Sequence, residues 1–444
     1  MSNDTLTGRQ FERSPGGEHW RLLGESMAGW FTGTGHAAGA ALAADLILRL
    51  TDPADLPTID VRSGGVRVGL PWSPPGFTAA QLEVARFVNG RVAERGLVPE
   101  PAGLQDLQLT FDVTDAPSVM SFWQRVLGHR LDPEDLRDPL RVLPPIWFQP
   151  QDSPRPLRNR LHLDVISTTD NTTAALAAIA DDDTSADPGP YGALVTDPEG
   201  NEADLLWREA DQDRWRVDGL DLDDWRLVFD AQAWWLATGP EAFARVAELI
   251  TRAATLADDA GQRLRLTVRA ARAKGGCWVV ASTGKDLWDA PNPDAPGSIA
   301  AVAAGVQAVA RELGLESHPE RARFMQVGFD VADPAAARRF WCAALAYEPD
   351  SRDDVSDIVD PRELGFPLFF QDLDTGDEAR LAQRNRIHLD LFLSADEAPR
   401  RLAAALEAGG RIVRDRSPFW WTVADPDGNE LDLSVNSGRE EEWA

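Results

Sequence analysis

The sequence predicts an α+β protein assembled by tandem duplication, and three observations carry that reading. First, five short islands occur twice in the same order. LQLTFDVTD, FWQRVLG, FQPQ, NRLHLDV and DPEGNEADLLW fall within 107–207, and MQVGFDVAD, FWCAALA, FQDL, NRIHLDL and DPDGNELDLSV within 325–435. Such order marks an internal repeat, which must be found before elements are assigned. Second, both copies switch between strand-like alternation and helical spacing of apolar residues. Third, similar helical runs at 78–97 and 298–315 precede the copies, and both end in Gly-Leu. The duplication therefore extends upstream.

A chain of 444 residues should hold several domains, because single cores stop growing near ~250–300 residues. The order reads A–B–A–B, with segments 1–103, 104–216, 217–321 and 322–444. The first A segment carries a helix-like run at 39–50, a strand at 65–70 and the helix at 78–97. The second carries a helix at 240–257, strands at 264–270 and 277–282, and the helix at 298–315. Polar or Pro-bearing linkers at 98–103, 208–219 and 316–321 separate the segments. In the first B segment, 108–113 is a strand, 117–127 an amphipathic helix and 146–149 a later strand. A second round follows: strand 161–166, helix 172–180, strand 193–196, turn 197–201 and strand 202–207. The second B segment repeats the plan, with its later helix at 399–409 and its turn at 425–429. Pro and Gly stand in both turns where a turn favours them.

Composition narrows the function. With 43% hydrophobic residues and 16 Trp the chain can bury large cores. A net charge of −28 argues against a phosphate backbone as partner, which needs a basic face, and disfavours anionic membranes. No apolar run is long enough to span a bilayer and the N-terminus has no signal-peptide pattern, so the cytoplasm is the default expectation. Richness in Ala, Arg, Asp and Pro with few Lys suggests a GC-rich bacterial source. Cys277 and Cys342 are too few for a disulfide framework.

The repeat also sorts the chemistry. Of six histidines only His162 and His388 recur, each beginning an alternating His-Leu-Asp run that puts His and Asp on one strand face. Imidazole is a common metal ligand and the usual acid–base near neutral pH. A half-buried histidine bonded to a neighbour is the alternative.

On Asp115…Phe122-Trp123…Gly128, Asn159-Arg160-Leu161-His162-Leu163-Asp164 and Asp197-Pro198-Glu199-Gly200-Asn201-Glu202, and their equivalents in copy two, the B segments resemble glyoxalase-like domains of the vicinal-oxygen-chelate superfamily. That superfamily includes glyoxalase, extradiol dioxygenases and the bleomycin-resistance proteins. The resemblance implies paired βαβββ modules in each B segment, forming one cup per copy. Metal-using relatives place ligands at positions that fall on Gln108, Gln149, His162 and Asp204 in copy one, and on Gln326, Gln371, His388 and Asp432 in copy two. Such a set suits a divalent metal ion of open identity. His162 and His388 are the candidate catalytic residues. Trp147, Tyr191, Phe369, Trp420 and Trp421 are the candidate substrate contacts, with Trp420-Trp421 in place of Gly192-Ala193 making the cups unequal.

The A segments more weakly resemble pterin-4a-carbinolamine dehydratase-like domains, through Leu56–Arg62, Val66-Arg67-Val68 and Gly76-Phe77-Thr78. Asp55, Leu56 and Arg67 stand where that family has histidines, which implies degenerate units without dehydratase activity. The whole implies a small-molecule protein, with its oligomeric state open between monomer and homodimer. The expected readings are a metal-assisted lyase or isomerase acting on a carbonyl-bearing metabolite, a non-catalytic sequestering protein of the bleomycin-resistance kind, or a structural or regulatory protein with degenerate cups.

Overall fold

The computed structural model describes residues 5–72, 74–132, 134–180, 186–188, 192–207, 209–289, 292–352 and 355–439. Helices and strands intermix throughout, as an α+β chain requires. The chain divides into two compact units. One gathers 1–104, 213–322 and 436–444; the other gathers 105–212 and 323–435. No helix among the described residues is long and apolar enough to cross a membrane.

In the first unit an antiparallel sheet is built from two similar halves. Thr58–Arg62 of one half pairs antiparallel with Arg265–Ala271 of the other, through Ile59–Val61 and Leu266–Val268. Val61, Val66, Val68, Leu266, Val268 and Val279 share a core with Leu46, Ile250 and Val306 of the helices Ala37–Arg49, Ala242–Asp259 and Ile299–Glu312. Strand alternation then puts Asp60, Thr267 and Arg269 on the opposite face. There Arg269 and Thr267 each donate to the Asp60 carboxylate at 2.9 Å. Burial would raise that carboxyl, but Arg269 and Arg62 outweigh it and hold it down to about 2. The expected helices and strands of this unit are present within a few residues. The strands Ser26–Thr32 and Ala231–Thr238 were not anticipated, because they are buried on nearly every residue and offer no alternation to read.

The second unit holds both B segments. Each has a front half and a rear half of βαβββ form. In copy one these begin with the strands Asp106–Val113 and Leu161–Ser167; in copy two, with Arg323–Val331 and Ile387–Leu393. The repeated islands explain the local structure. Asp115 and Asp333 cap the front helices Ala116–Leu127 and Pro334–Leu345, each with Pro in its first turn. Trp123 and Trp341 are fully buried, and their indole N–H groups donate to Asp197 and Asp425 at 2.8 and 3.1 Å. Those same carboxylates accept from Asn201 and Asn429, which fixes the Asp-Pro-x-Gly-Asn turns.

The halves do not pair within a copy. Leu161–Ser167, the rear strand of copy one, runs antiparallel against Arg323–Val331, the front strand of copy two. Ile387–Leu393, the rear strand of copy two, runs antiparallel against Asp106–Val113, the front strand of copy one. Each eight-stranded sheet therefore contains one half from each copy. The expectation of one cup per copy is corrected here: both cups are shared between copies.

The Asn-Arg of each NRxH island locks this exchange. Asn385 accepts from the Arg160 backbone N–H at 3.1 Å, and Asn159 accepts from that of Arg386 at 3.0 Å. The Arg160 guanidinium, 1% exposed, donates to Asn429 and to the carbonyls of Arg380, Leu381 and Gln383. Arg386 mirrors it on Asn201, Leu157 and Gly200.

Candidate metal centres

Strand register builds two related centres. In the first sheet, His388 lies opposite Thr110, and Asp390 lies opposite Gln108 on one side and Asp432 on the other. Residues opposite one another across a ladder share a face. His388 Nε2 stands 3.6 Å from Asp390 and 3.9 Å from Asp432. Thr110 donates its hydroxyl to Asp390 at 2.8 Å, and Gln108 donates its amide at 3.4 Å. In the second sheet, Gln326 lies opposite Asp164 and donates to it at 2.8 Å, while His162 Nε2 stands 3.7 Å from Asp164. Asp204 lies beside Asp164 in the parallel pair. In each triad, His162/Asp164/Asp204 and His388/Asp390/Asp432, one ligand atom per residue lies within 4.8 Å of the others.

The sequence-derived donors are thus regrouped. Gln108 joins His388 and Asp432, and Gln326 joins His162 and Asp204. Gln149 donates at 2.5 Å to Asp112, whose carboxylate stands 3.9 Å from His388 Nδ1, and Gln371 donates to Asp330 at 2.6 Å. Those two carboxylates are also held by Arg155 and Arg380. The sequence places Asp164 and Asp390 on the histidine's face, and the structure adds them to the candidate donors. Their recurrence in His-Leu-Asp was the available signal.

Burial leaves these groups short of partners. Among the described residues, Asp390 Oδ1, Asp432 Oδ1, His388 Nδ1 and Gln326 Oε1 are buried with no hydrogen bond. Such atoms are costly unless something else meets them. Burial pushes the Asp390 carboxyl up to about 7; His388 opposes that and the neighbouring Asp432 charge reinforces it. Burial likewise raises Asp204, against the pull of His162 and Arg158. One imidazole, two carboxylates and an amide oxygen per centre form a hard-to-borderline donor set whose two negative charges match a divalent cation.

The surroundings differ. At the first centre the cup face carries Trp147 opposite Thr110, Thr422 opposite Asp432, and Trp420 two residues before Thr422. The Trp420 indole donates to Thr422 at 3.2 Å, and the Arg414 guanidinium lies 5.6 Å from its ring centre. Trp421 points the other way and is 8% exposed in the core, so its assignment as a substrate contact is corrected. At the second centre Gly328 replaces Thr110, Leu194 faces Asp204, and the edge of Phe369 meets His162 with ring centres 5.5 Å apart. Tyr191 lies outside the described residues.

A family model described as a glyoxalase-like domain matches residues 108–206 and 326–434. The two matched stretches fall on the two B segments and on the strands that carry both triads. Among solved structures, glyoxalase I from Zea mays is similar at 11% identity, covering 76% of this chain and 95% of its own, with a TM-score of 0.38. A glyoxalase-related enzyme from Fulvimarina pelagi shares 23% identity over 25% of this chain and 86% of its own, with a TM-score of 0.19. The cppA protein from Streptococcus pneumoniae shares 10% identity over 74% of this chain and 97% of its own, with a TM-score of 0.30. No curated protein matches significantly.

Proposed function

We propose that the His388/Asp390/Asp432 centre, completed by Gln108, holds a divalent cation and acts on a carbonyl-bearing metabolite as a lyase or isomerase. The supporting observation is the recurring His-Asp-Asp triad with its buried, unpartnered acceptor atoms. A bound cation would supply Lewis-acid polarisation of a substrate oxygen. His388, Asp390, Asp432 and Gln108 would hold it. Thr110 fixes one Asp390 oxygen and leaves the other directed elsewhere. Trp147 and Trp420 wall the cup and suit a planar or apolar substrate body. The His162/Asp164/Asp204 centre has the same donors but a tighter, more apolar surround, and we assign it the weaker ligand site. The first unit contributes no part of this chemistry: we read its two halves as degenerate pterin dehydratase-like scaffolds, because Asp55, Leu56 and Arg67 offer no imidazole pair. A bacterial, cytoplasmic setting belongs to this same reading.

The test is metal analysis of the full chain after equilibration with Mg²⁺, Mn²⁺, Zn²⁺ and Fe²⁺ in turn. A divalent ion should be retained, and His388→Ala should release it, since carboxylates and an amide alone bind weakly. Retention in a variant carrying both His388→Ala and His162→Ala would refute the ligand assignment. If no ion binds the native chain, sequestration of a small molecule in the cups becomes the better reading.

A further inference from the structure

We infer that a groove outside both cups is a second ligand site, selective for a small molecule that joins a carboxylate to an apolar body. The groove encloses about 380 Å³ and is walled by Leu381, Ala382, Ile412 and Val413, with Arg160, Arg384 and Arg411 among its lining. None of the His-Asp-Asp residues lines it.

Three observations point to an anion. Arg160 and Arg411 both approach Gly428: a Cβ built there would stand 3.2 Å from Arg411 Nη2 and 3.9 Å from Arg160 Nη2. Arg411 makes no ion pair with a carboxylate among the described residues, whereas Arg160 is buried and feels the charges of Asp425, Asp427 and Asp330. Arg160 spends its donors on Asn429 and on backbone carbonyls, and Arg411 donates Nη1 to the Asp425 carbonyl at 3.0 Å. The acids in the same wall are already engaged. Glu430 holds Arg384 at 2.7 Å, and Asp427 accepts from the Ala332 backbone at 2.7 Å. The lining sets three arginines against two carboxylates, Asp427 and Glu430, one positive charge in surplus in a chain whose net charge is −28. Guanidinium groups recognise carboxylates through paired N–H donors.

The apolar half of the ligand follows from the adjoining strand. Arg411–Arg416 is the last strand of its sheet, and all six of its residues are exposed. Ile412 and Val413 stand 43% and 50% exposed at the groove, an unusual place for two β-branched apolar side chains side by side. A short aliphatic or aromatic tail would cover them while its carboxylate meets Arg411. The charge of the whole chain, −28, repels a nucleic acid, and inorganic phosphate would leave the apolar wall unused.

Calorimetric titration of the full chain with octanoate, octanamide and inorganic phosphate tests this. Octanoate should saturate one site, with octanamide and phosphate each about tenfold weaker or more, the scale of one charge-assisted contact. Arg411→Met and Ile412→Glu alter exposed positions, so both variants should fold, keep their metal content and lose octanoate affinity by a similar factor. Equal binding of octanoate and octanamide, phosphate binding as tight as octanoate, unchanged affinity in both variants, or no saturable binding would each overturn the assignment.

Discussion

At the scale of single residues, neighbours decide what a shared motif can do. Gln108 and Gln326 occupy equivalent positions, yet two residues on stand Thr110 and Gly328. A Cβ at 328 would lie 2.3 Å from His162 Cε1 and 2.5 Å from Phe369 Cζ. Gly328→Ala should therefore displace His162 and abolish cation binding at that centre alone, at a stability cost of about 1–3 kcal/mol from overpacking. Metal stoichiometry and thermal melting read the two effects separately; a variant with native stoichiometry would show that His162 is not confined as described. A second residue-scale consequence lies in the other unit. Asp230 is buried, accepts from Ser282 at 2.5 Å, and burial pushes its carboxyl up to about 6. Unfolded aspartate titrates near ~4. The folded chain thus holds the proton more tightly, so this group's contribution is fully present below about pH 4 and is lost as pH rises through about 6. Asp230→Asn keeps an acceptor for Ser282 and removes the buried charge. It should stabilise the protein at pH 8 by on the order of 3 kcal/mol and leave it unchanged at pH 4. Equal effects at both pH values would mean that Asp230 is not buried as a charge.

At the scale of elements, strand alternation separates adjacent residues that look alike in the sequence. Trp420 and Trp421 are neighbours on the strand Trp420–Ala424, so one must face the cup and the other the core. Register assigns Trp420 to the face of Asp432, and burial assigns Trp421 to the core. Trp421→Ala should cost about 3–5 kcal/mol of stability, as large core truncations do. Trp420→Ala should cost far less and instead weaken quenching of tryptophan fluorescence by a planar aromatic probe. Reversed effects would invert the strand's facing. The elements of both copies were readable from their islands because turns, caps and alternation are local. Pairing partners were not, since every front strand is compatible with either rear strand in alternation and length. The positions of Gln108, His388 and Asp432 could be named individually, while their grouping depended on which strands lie side by side. Position alone selects Gln149 and Gln371, whereas the acids that engage them, Asp112 and Asp330, lie on neighbouring strands and depend on pairing.

At the scale of the whole molecule, duplication and exchange make each centre the joint product of both copies. Gln108 and Thr110 come from copy one and His388, Asp390 and Asp432 from copy two; the second centre reverses the debt. Arg160 and Arg386 each bury a guanidinium against the other copy. A fragment spanning 104–216 therefore has a front half and a rear half that do not pair with each other in the full chain. Alone, it can complete a sheet only by pairing with a second fragment, front strand against rear strand, which would set Gln108 beside His162, Asp164 and Asp204. Sedimentation of this fragment with metal analysis should show a monomer without bound ion or a dimer with it. Mixing it with a fragment spanning 322–444 should restore the native stoichiometry as a one-to-one complex. A monomeric 104–216 fragment that retains the ion would mean that one copy can fold back on itself, and that the exchange between copies is not needed to build a centre.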